Sequence, residues 1–189
     1  MEKLKLAIVL LFISCFSFAQ NDELIRSGLL SVRLTYSPSY LFENNTSHYY
    51  LHGNIEGYVN NKISIAGEGY YFLANGSINE GELQYNHSAF FGASYHFTRN
   101  KNDFYMGIQP GLAFTKYQQA LNSPTFTRGV NPLFSTLIGY NLYFYKCFHF
   151  FIQGRLILGE HIYYPTHNLN EFRLSAGLGF NLNTLKISH

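Results

Sequence analysis

The chain has 189 residues, of which 13% are charged and 18% aromatic, and a formal net charge of +2. That length suits one domain, and the sparse charge with a mean hydropathy of −0.07 excludes both a disordered polyelectrolyte and a helical membrane protein. Lys and Arg are few and scattered, which gives no case for a nucleic-acid partner.

The first element in chain order is a leader. Lys3 and Lys5 precede an apolar run from Leu6 to Ala19, and Ser17-Phe18-Ala19 supplies small residues where a signal peptidase reads. The run is shorter than the ~20 residues of a membrane-spanning helix, so residues 1–19 read as a secretory signal peptide with cleavage after Ala19. A lipoprotein signal built on Cys15 is the competing reading, and Phe12-Ile13-Ser14 is a poor lipobox. Once the leader is removed, Cys147 is left as a lone thiol, so no disulfide framework staples the fold. Residues 20–28 then form a short segment ahead of the first strand.

Eight runs alternate from there to the C-terminus. In the first, Leu30 to Phe42, Leu30, Val32, Leu34, Tyr36 and Tyr40 share one side and Ser31, Arg33, Thr35, Ser37 and Ser39 the other. Tyr49 to Val59 opposes Leu51 and Ile55 to His52, Asn54, Glu56 and Tyr58; Ile63 to Leu73 opposes Ile65 and Tyr71 to Ser64, Glu68 and Tyr70. Leu83 to Phe97, Phe104 to Lys116 and Pro132 to Phe144 follow the same rule. Phe148 to Leu158 is less clean, since Phe151 and Ile157 fall beside Gln153 and Arg155 on the polar side. The last run, Phe172 to Leu182, alternates strictly, with Arg173, Ser175, Gly177, Gly179 and Asn181 on its polar face. Successive side chains of a strand point to opposite faces, so each run has one greasy and one polar face.

The connections alternate too. Asn60-Asn61, Thr98 to Asp103 and Tyr145-Lys146-Cys147 are short, whereas Glu43 to His48, Ala74 to Glu82, Tyr117 to Asn131 and Gly159 to Glu171 are mostly longer and more polar. Short turns at one end and long loops at the other are expected of an outer-membrane barrel. Runs of about 11 to 15 residues also exceed the ~5–6 of a globular strand and meet the ~9–11 of a tilted transmembrane one. Tyr40, Phe42, Tyr49, Tyr71, Tyr85 and Phe114 fall near the loop ends and Phe97, Phe104, Phe144 and Phe180 near the turn ends, as two aromatic girdles.

Over residues 29–182 the sequence resembles the small eight-stranded outer-membrane barrels of the OmpA/OmpX type, including the PorT-like barrel domains. Its most specific piece is Ser175-x-Gly177-x-x-Phe180-x-Leu182, which looks like the terminal signal read by barrel-assembly machinery. Family members often end on that aromatic residue, and here a tail, residues 183–189, continues past it. The resemblance implies an all-β, eight-stranded antiparallel up-and-down transmembrane barrel in the outer membrane of a Gram-negative bacterium. It also implies outer-membrane lipid and the assembly machinery as partners.

The alternation turns Arg33, Glu56, Glu68, Arg155 and Arg173 inward. Charges in a packed lumen must be paired, and hairpin pairing brings Arg33 diagonally near Glu56 and Glu56 near Glu68, which predicts one structural cluster. Inward Tyr58, Tyr70, Phe72, Phe90, Tyr105 and Phe151 fill an interior that eight strands make only side-chain wide. No enzyme is expected. A lipid-editing barrel would need His, Ser and a carboxylate together, and in Asn86-His87-Ser88 the last two residues point to opposite faces. The eight His are dispersed without ligand spacing, so no metal or cofactor is expected, although His161 and His167 share the last loop. Tyr163, Tyr164 and Pro165 in that loop suit contact with envelope or surface proteins and suit an interfacial belt equally well. The expected role is membrane integrity, surface adhesion or anchoring of an envelope or secretion assembly. The rival readings are a lipid-modifying enzyme and a soluble lipocalin-like barrel holding a hydrophobic ligand on its greasy face.

Overall fold

The computed structural model describes residues 27–43, 45–75, 83–118, 126–145, 147–162 and 168–184. The leader with Cys15, the loop residues Tyr163, Tyr164, Pro165 and His167, and the tail beyond Thr184 lie outside these. Eight strands form: β1 (Leu29–Leu41), β2 (Thr46–Tyr58), β3 (Ile63–Asn75), β4 (Leu83–Arg99), β5 (Asn102–Gln118), β6 (Phe126–Tyr145), β7 (Phe148–Gly159) and β8 (Glu171–Asn183). Each pairs antiparallel with its chain neighbours, and β1 pairs with β8, closing the barrel. A strand of 13 residues reaches roughly 43 Å at ~3.3 Å per residue, which a ~40° tilt projects to about 33 Å, more than the ~25 Å apolar band of an outer-membrane barrel.

The faces are sorted by chemistry. Leu34, Phe91 and Ile138 stand 65 to 69% exposed on the outside, whereas Ser31, His52, Gln109, Arg173 and their inward neighbours are buried. The greasy side is therefore the outer wall, and the lumen cannot be the apolar ligand cavity of a lipocalin-like barrel. Phe151 and Ile157, which break the pattern of β7, do point inward and are buried.

Several boundaries move outward from those the alternation suggests. The turn expected over Thr98 to Asp103 shrinks to Asn100-Lys101, with Arg99 paired to Asn102 and Thr98 to Asp103. The long loop expected over Tyr117 to Asn131 is largely hairpin, since β5 and β6 stay in register up to Gln118 and Phe126. Antiparallel ladders continue while backbone partners remain available, whatever the side chains above the belt. At the foot of β4, a bulge between Leu83 and Tyr85 turns Leu83 inward against Leu41, because one extra residue reverses the facing. The turns use polar chemistry: the Asn60 side-chain oxygen accepts from the N–H groups of Lys62 and Ile63 at 2.8 and 2.9 Å. Asn100 takes a φ of 55°, a left-handed conformation that Asn tolerates better than most residues.

The closing seam between β1 and β8 is irregular. Its ladder runs from Leu29 to Arg33, stops, and resumes at Ser39 without a change of register. Pro38 has no N–H to give in that interval. Hydroxyls bridge the gap: Thr35 Oγ1 donates to the Ala176 carbonyl at 2.5 Å, Ser37 Oγ to the Leu174 carbonyl at 2.9 Å, and Ser175 Oγ to Ser37 Oγ at 2.9 Å. At ~1 kcal/mol each, these bonds hold the interrupted stretch of the seam. Thr35→Val with Ser37→Ala is expected to speed amide hydrogen exchange in β8 well above that in β5; equal protection before and after would show that the hydroxyls do not hold the seam.

Candidate functional site

The chemistry of the described residues is concentrated in the lumen, where three arginines (Arg33, Arg155, Arg173) face four carboxylates (Glu56, Glu68, Asp103, Glu171), all buried. They sort into three tiers along the axis. Nearest the turn end, Arg33 pairs with Glu56 at 2.5 Å and donates to the Tyr105 hydroxyl at 3.1 Å. The other Glu56 oxygen accepts from Ser64 at 2.6 Å. His96 links this pair to Asp103: its Nε2 lies 3.3 Å from Glu56 and its Nδ1 2.9 Å from Asp103. Below them the Tyr58 and Tyr143 hydroxyls meet at 3.1 Å and, with Leu29, close the turn end.

In the middle tier Glu68 is the hub. It pairs with Arg155 at 2.6 Å and His52 at 2.8 Å, and accepts from Gln109 at 3.1 Å and Gln153 at 3.0 Å. Arg155 also donates to Ser135 at 2.6 Å and Gln109 at 2.9 Å. Gln153 in turn accepts from Tyr105 at 3.0 Å, tying this tier to the one below. In the tier nearest the loops, Arg173 grips Glu171 through two nitrogens at 2.7 and 3.1 Å and donates to Ser88 at 2.6 Å. Its guanidinium lies 4.0 Å from the Tyr50 ring centre, a cation–π contact. An apolar cluster of Tyr50, Tyr70, Phe72, Phe90, Leu133, Ile157 and Leu169 fills the space around these two tiers, with the Tyr70 and Phe90 rings 5.6 and 4.6 Å from the Arg155 guanidinium.

The five charges that the alternation turns inward all lie in the lumen, where Asp103 and Glu171 bring the number to seven, and their grouping differs from the expected one. Arg33 and Glu56 meet, whereas Glu68 turns across the lumen to Arg155 on β7 instead of joining them in a single Arg33–Glu56–Glu68 cluster. The reason is reach: the barrel is narrow enough for a β3 carboxylate to meet a β7 guanidinium directly. Asp103 and Glu171, which complete the pairing, lie one alternation step outside the runs Phe104 to Lys116 and Phe172 to Leu182, and their parity with Tyr105 and Arg173 is the signal that marks them as inward. Leu169 had no such signal; it reaches the mouth because the last loop folds back, with Leu169 N–H on the Gly159 carbonyl at 2.8 Å and the Asn168 N–H on the Glu43 carboxylate.

No family model and no curated protein matches the sequence. Solved structures do. The outer membrane protein OprG from Pseudomonas aeruginosa matches with a TM-score of 0.67 at 10% identity, over 86% of this chain and 100% of that one. The chain has the fold of the small outer-membrane barrels. Neisserial surface protein A matches it with a TM-score of 0.61 at 12% identity, covering 83% of this chain and 97% of its own. So does Ail, the attachment invasion locus protein of Yersinia pestis, in complex with sucrose octasulfate, with a TM-score of 0.57 at 11% identity over 82% and 99% of the two chains.

Within this barrel the remaining candidates are placed as follows. Ser175 and Gly177 face the lumen; Phe180 and Leu182 face outward, where the Phe180 ring packs 5.5 Å from Phe148. His87 points outward between Tyr71 and Tyr85, with ring centres 4.5 and 5.0 Å away, and its Nδ1 accepts from the Phe72 N–H at 3.1 Å. Ser88 points inward to Arg173, so the wall of the barrel separates His87 from Ser88. Among the described residues no three His, Cys, Asp or Glu side chains converge to hold a metal ion. An open groove of about 710 Å³ lies beside the mouth, lined by residues that include Phe134, Leu158, His161 and Asn168.

Proposed function

We propose that the protein is an exported outer-membrane barrel of a Gram-negative envelope that neither conducts solutes nor catalyses a reaction. It serves instead as a rigid lipid-embedded scaffold for membrane integrity, surface contact or anchoring of an envelope assembly. The observation that carries this reading is the lumen: Glu68 and Arg155 meet across it, with Tyr58 and Tyr143 below and the aromatic cluster packed around Arg155 and Arg173. Moving ions through would mean breaking several buried charge pairs at once, each costly to open. The apolar outer wall favours lipid over water, since a soluble protein rarely exposes so large a contiguous greasy surface. Ser175, Gly177, Phe180 and Leu182 are the residues offered to the assembly machinery. A surface or attachment role is in keeping with the names of two structural neighbours, Neisserial surface protein A and the attachment invasion locus protein.

Expression with the native leader tests the reading. A band in the outer-membrane fraction whose gel mobility changes on boiling is the expected result, together with no conductance step in planar bilayers. A soluble periplasmic protein would overturn the membrane assignment, and regular conductance steps would overturn the closed lumen.

A further inference from the structure

The two ends of the barrel differ in charge. At the turn end Lys62, Arg99 and Lys101 are exposed, and Lys146, outside the described residues, belongs by sequence to the third turn. The described residues of this end present no exposed carboxylate, because Asp103 and Glu56 are buried in the lumen, and by sequence the flanking segments add Asp22 and Glu23 beside Arg26 and Lys186. The loop end is mixed, with Glu43, Glu80, Glu82 and Glu160 beside Lys116 and Arg128 in sequence.

The turns also form one fixed rim. The Lys62 carbonyl accepts from the His96 N–H at 2.7 Å, the Lys101 carbonyl from the Tyr143 N–H at 2.8 Å and the Cys147 carbonyl from the Asn181 N–H at 2.8 Å. Thr184 N–H on the Gly28 carbonyl at 2.9 Å and Gly28 N–H on the Tyr58 carbonyl at 3.0 Å complete the circuit across the seam. Each turn therefore leans on the next hairpin in the same way, and the contact between Lys62 and His96 sets the turn that carries Lys62 beside the one that carries Arg99 and Lys101. Immediately inside the rim lies a phenyl-rich girdle, in which Phe97 packs on Tyr95, Phe104 on Tyr140, and Phe144 on Phe148 and Phe150. Arg99 stands two residues beyond Phe97 on the same outward face of β4, one ~6–7 Å step along the strand. Rings at the edge of the acyl region with cations one step further out set those cations at the depth of lipid phosphates.

We propose that this basic collar binds the phosphates of anionic phospholipids, such as phosphatidylglycerol or cardiolipin, in the leaflet that meets the turn end. The proposal rests on the outer-membrane reading above. It gives the barrel a preferred lipid shell at that end and fixes its depth and orientation. A lipid partner is favoured over a protein one because Arg99 follows Phe97 on the outward, lipid-facing side of the wall rather than at the aqueous end of the lumen.

The test uses the mature chain refolded into bilayers of equimolar phosphatidylcholine and phosphatidylglycerol, with retained lipids counted by native mass spectrometry after extraction. About five-fold enrichment of phosphatidylglycerol is expected from the attraction of one basic residue for an anionic surface. It should fall toward parity in about 0.5 M salt as screening shortens. The triple variant Lys62→Gln, Arg99→Gln, Lys101→Gln should fold, judged by its boiling-sensitive mobility, and lose the enrichment, while Lys116→Gln with Arg128→Gln at the loop end should keep it. Parity in the unaltered protein, or enrichment that survives the triple change, would overturn the collar. Failure of the membrane reading would appear differently: no chain, altered or not, would enter pure phosphatidylcholine bilayers in the boiling-sensitive form.

Discussion

Glu68→Leu is expected to destabilise the barrel by about 3–5 kcal/mol, the cost of leaving one partner of a buried ion pair without the other. The change strands Arg155, which keeps its bonds to Ser135 and Gln109 and its places 4.6 and 5.6 Å from the Phe90 and Tyr70 ring centres but no carboxylate. It also removes the acceptor of Gln109, Gln153 and His52. Arg155→Met should be milder, because Glu68 would still be held by His52 and both glutamines. The double variant Glu68→Leu, Arg155→Met should recover much of the loss, since well-packed apolar groups can replace a buried pair at little net cost. A urea titration of the boiling-sensitive form in vesicles measures all three, and the coupling follows from the cycle. If Glu68→Leu shifts stability by less than ~1 kcal/mol, water must be taking over its bonds, and a wet lumen would reopen the question of conduction.

How far these features can be read from residue order depends on distance along the chain and across the barrel. The strand period of two turns Arg33, Glu56, Glu68, Arg155 and Arg173 inward, and adjacency in a hairpin joins Arg33 to Glu56. Nothing local joins Glu68 to Arg155. Their meeting depends on barrel diameter and on the stagger of strands, which no single strand encodes. The same limit explains Tyr58 on Tyr143 and Arg173 on Ser88, pairs formed between strands that are not neighbours in the sheet. Boundaries blur for another reason: Asp103, Glu171 and the hairpin from Thr127 to Asn131 lie where alternation continues but hydrophobicity does not, so a reading keyed to greasy faces stops short. Leu83 shows the converse, an apolar residue whose parity misleads because a bulge follows it. The turn-end cations were legible only as scattered residues; that the turn of Lys62 meets β4 just below Arg99 comes from a carbonyl contact that the closed sheet makes possible.

Two glycine changes of identical chemistry should have opposite results. Gly92 faces the lumen on β4, where a Cβ would lie 2.3 Å from the Ile108 carbonyl oxygen and 2.9 Å from the Gln109 Cα. Both are backbone atoms of β5, in the stretch where the β4–β5 ladder lapses between Phe90 and Ala93 opposite Pro110. Neither can rotate aside, so a methyl group there must push the two strands apart. Gly69 faces outward on β3 with no heavy atom within 4 Å of its Cβ position. Gly92→Ala is therefore expected to cost about 1–3 kcal/mol as an overpacked site, with part of the chain failing to reach the boiling-sensitive form. Gly69→Ala should be neutral or stabilise by up to ~1 kcal/mol through the lost freedom of the unfolded chain. Refolding yield and urea midpoint of the two variants, measured side by side in the same vesicles, decide the matter. Equal behaviour would mean that β4 and β5 can separate at Gly92 without penalty, and the wall would then be loosest beside Gln109, the residue that links Glu68 to Arg155.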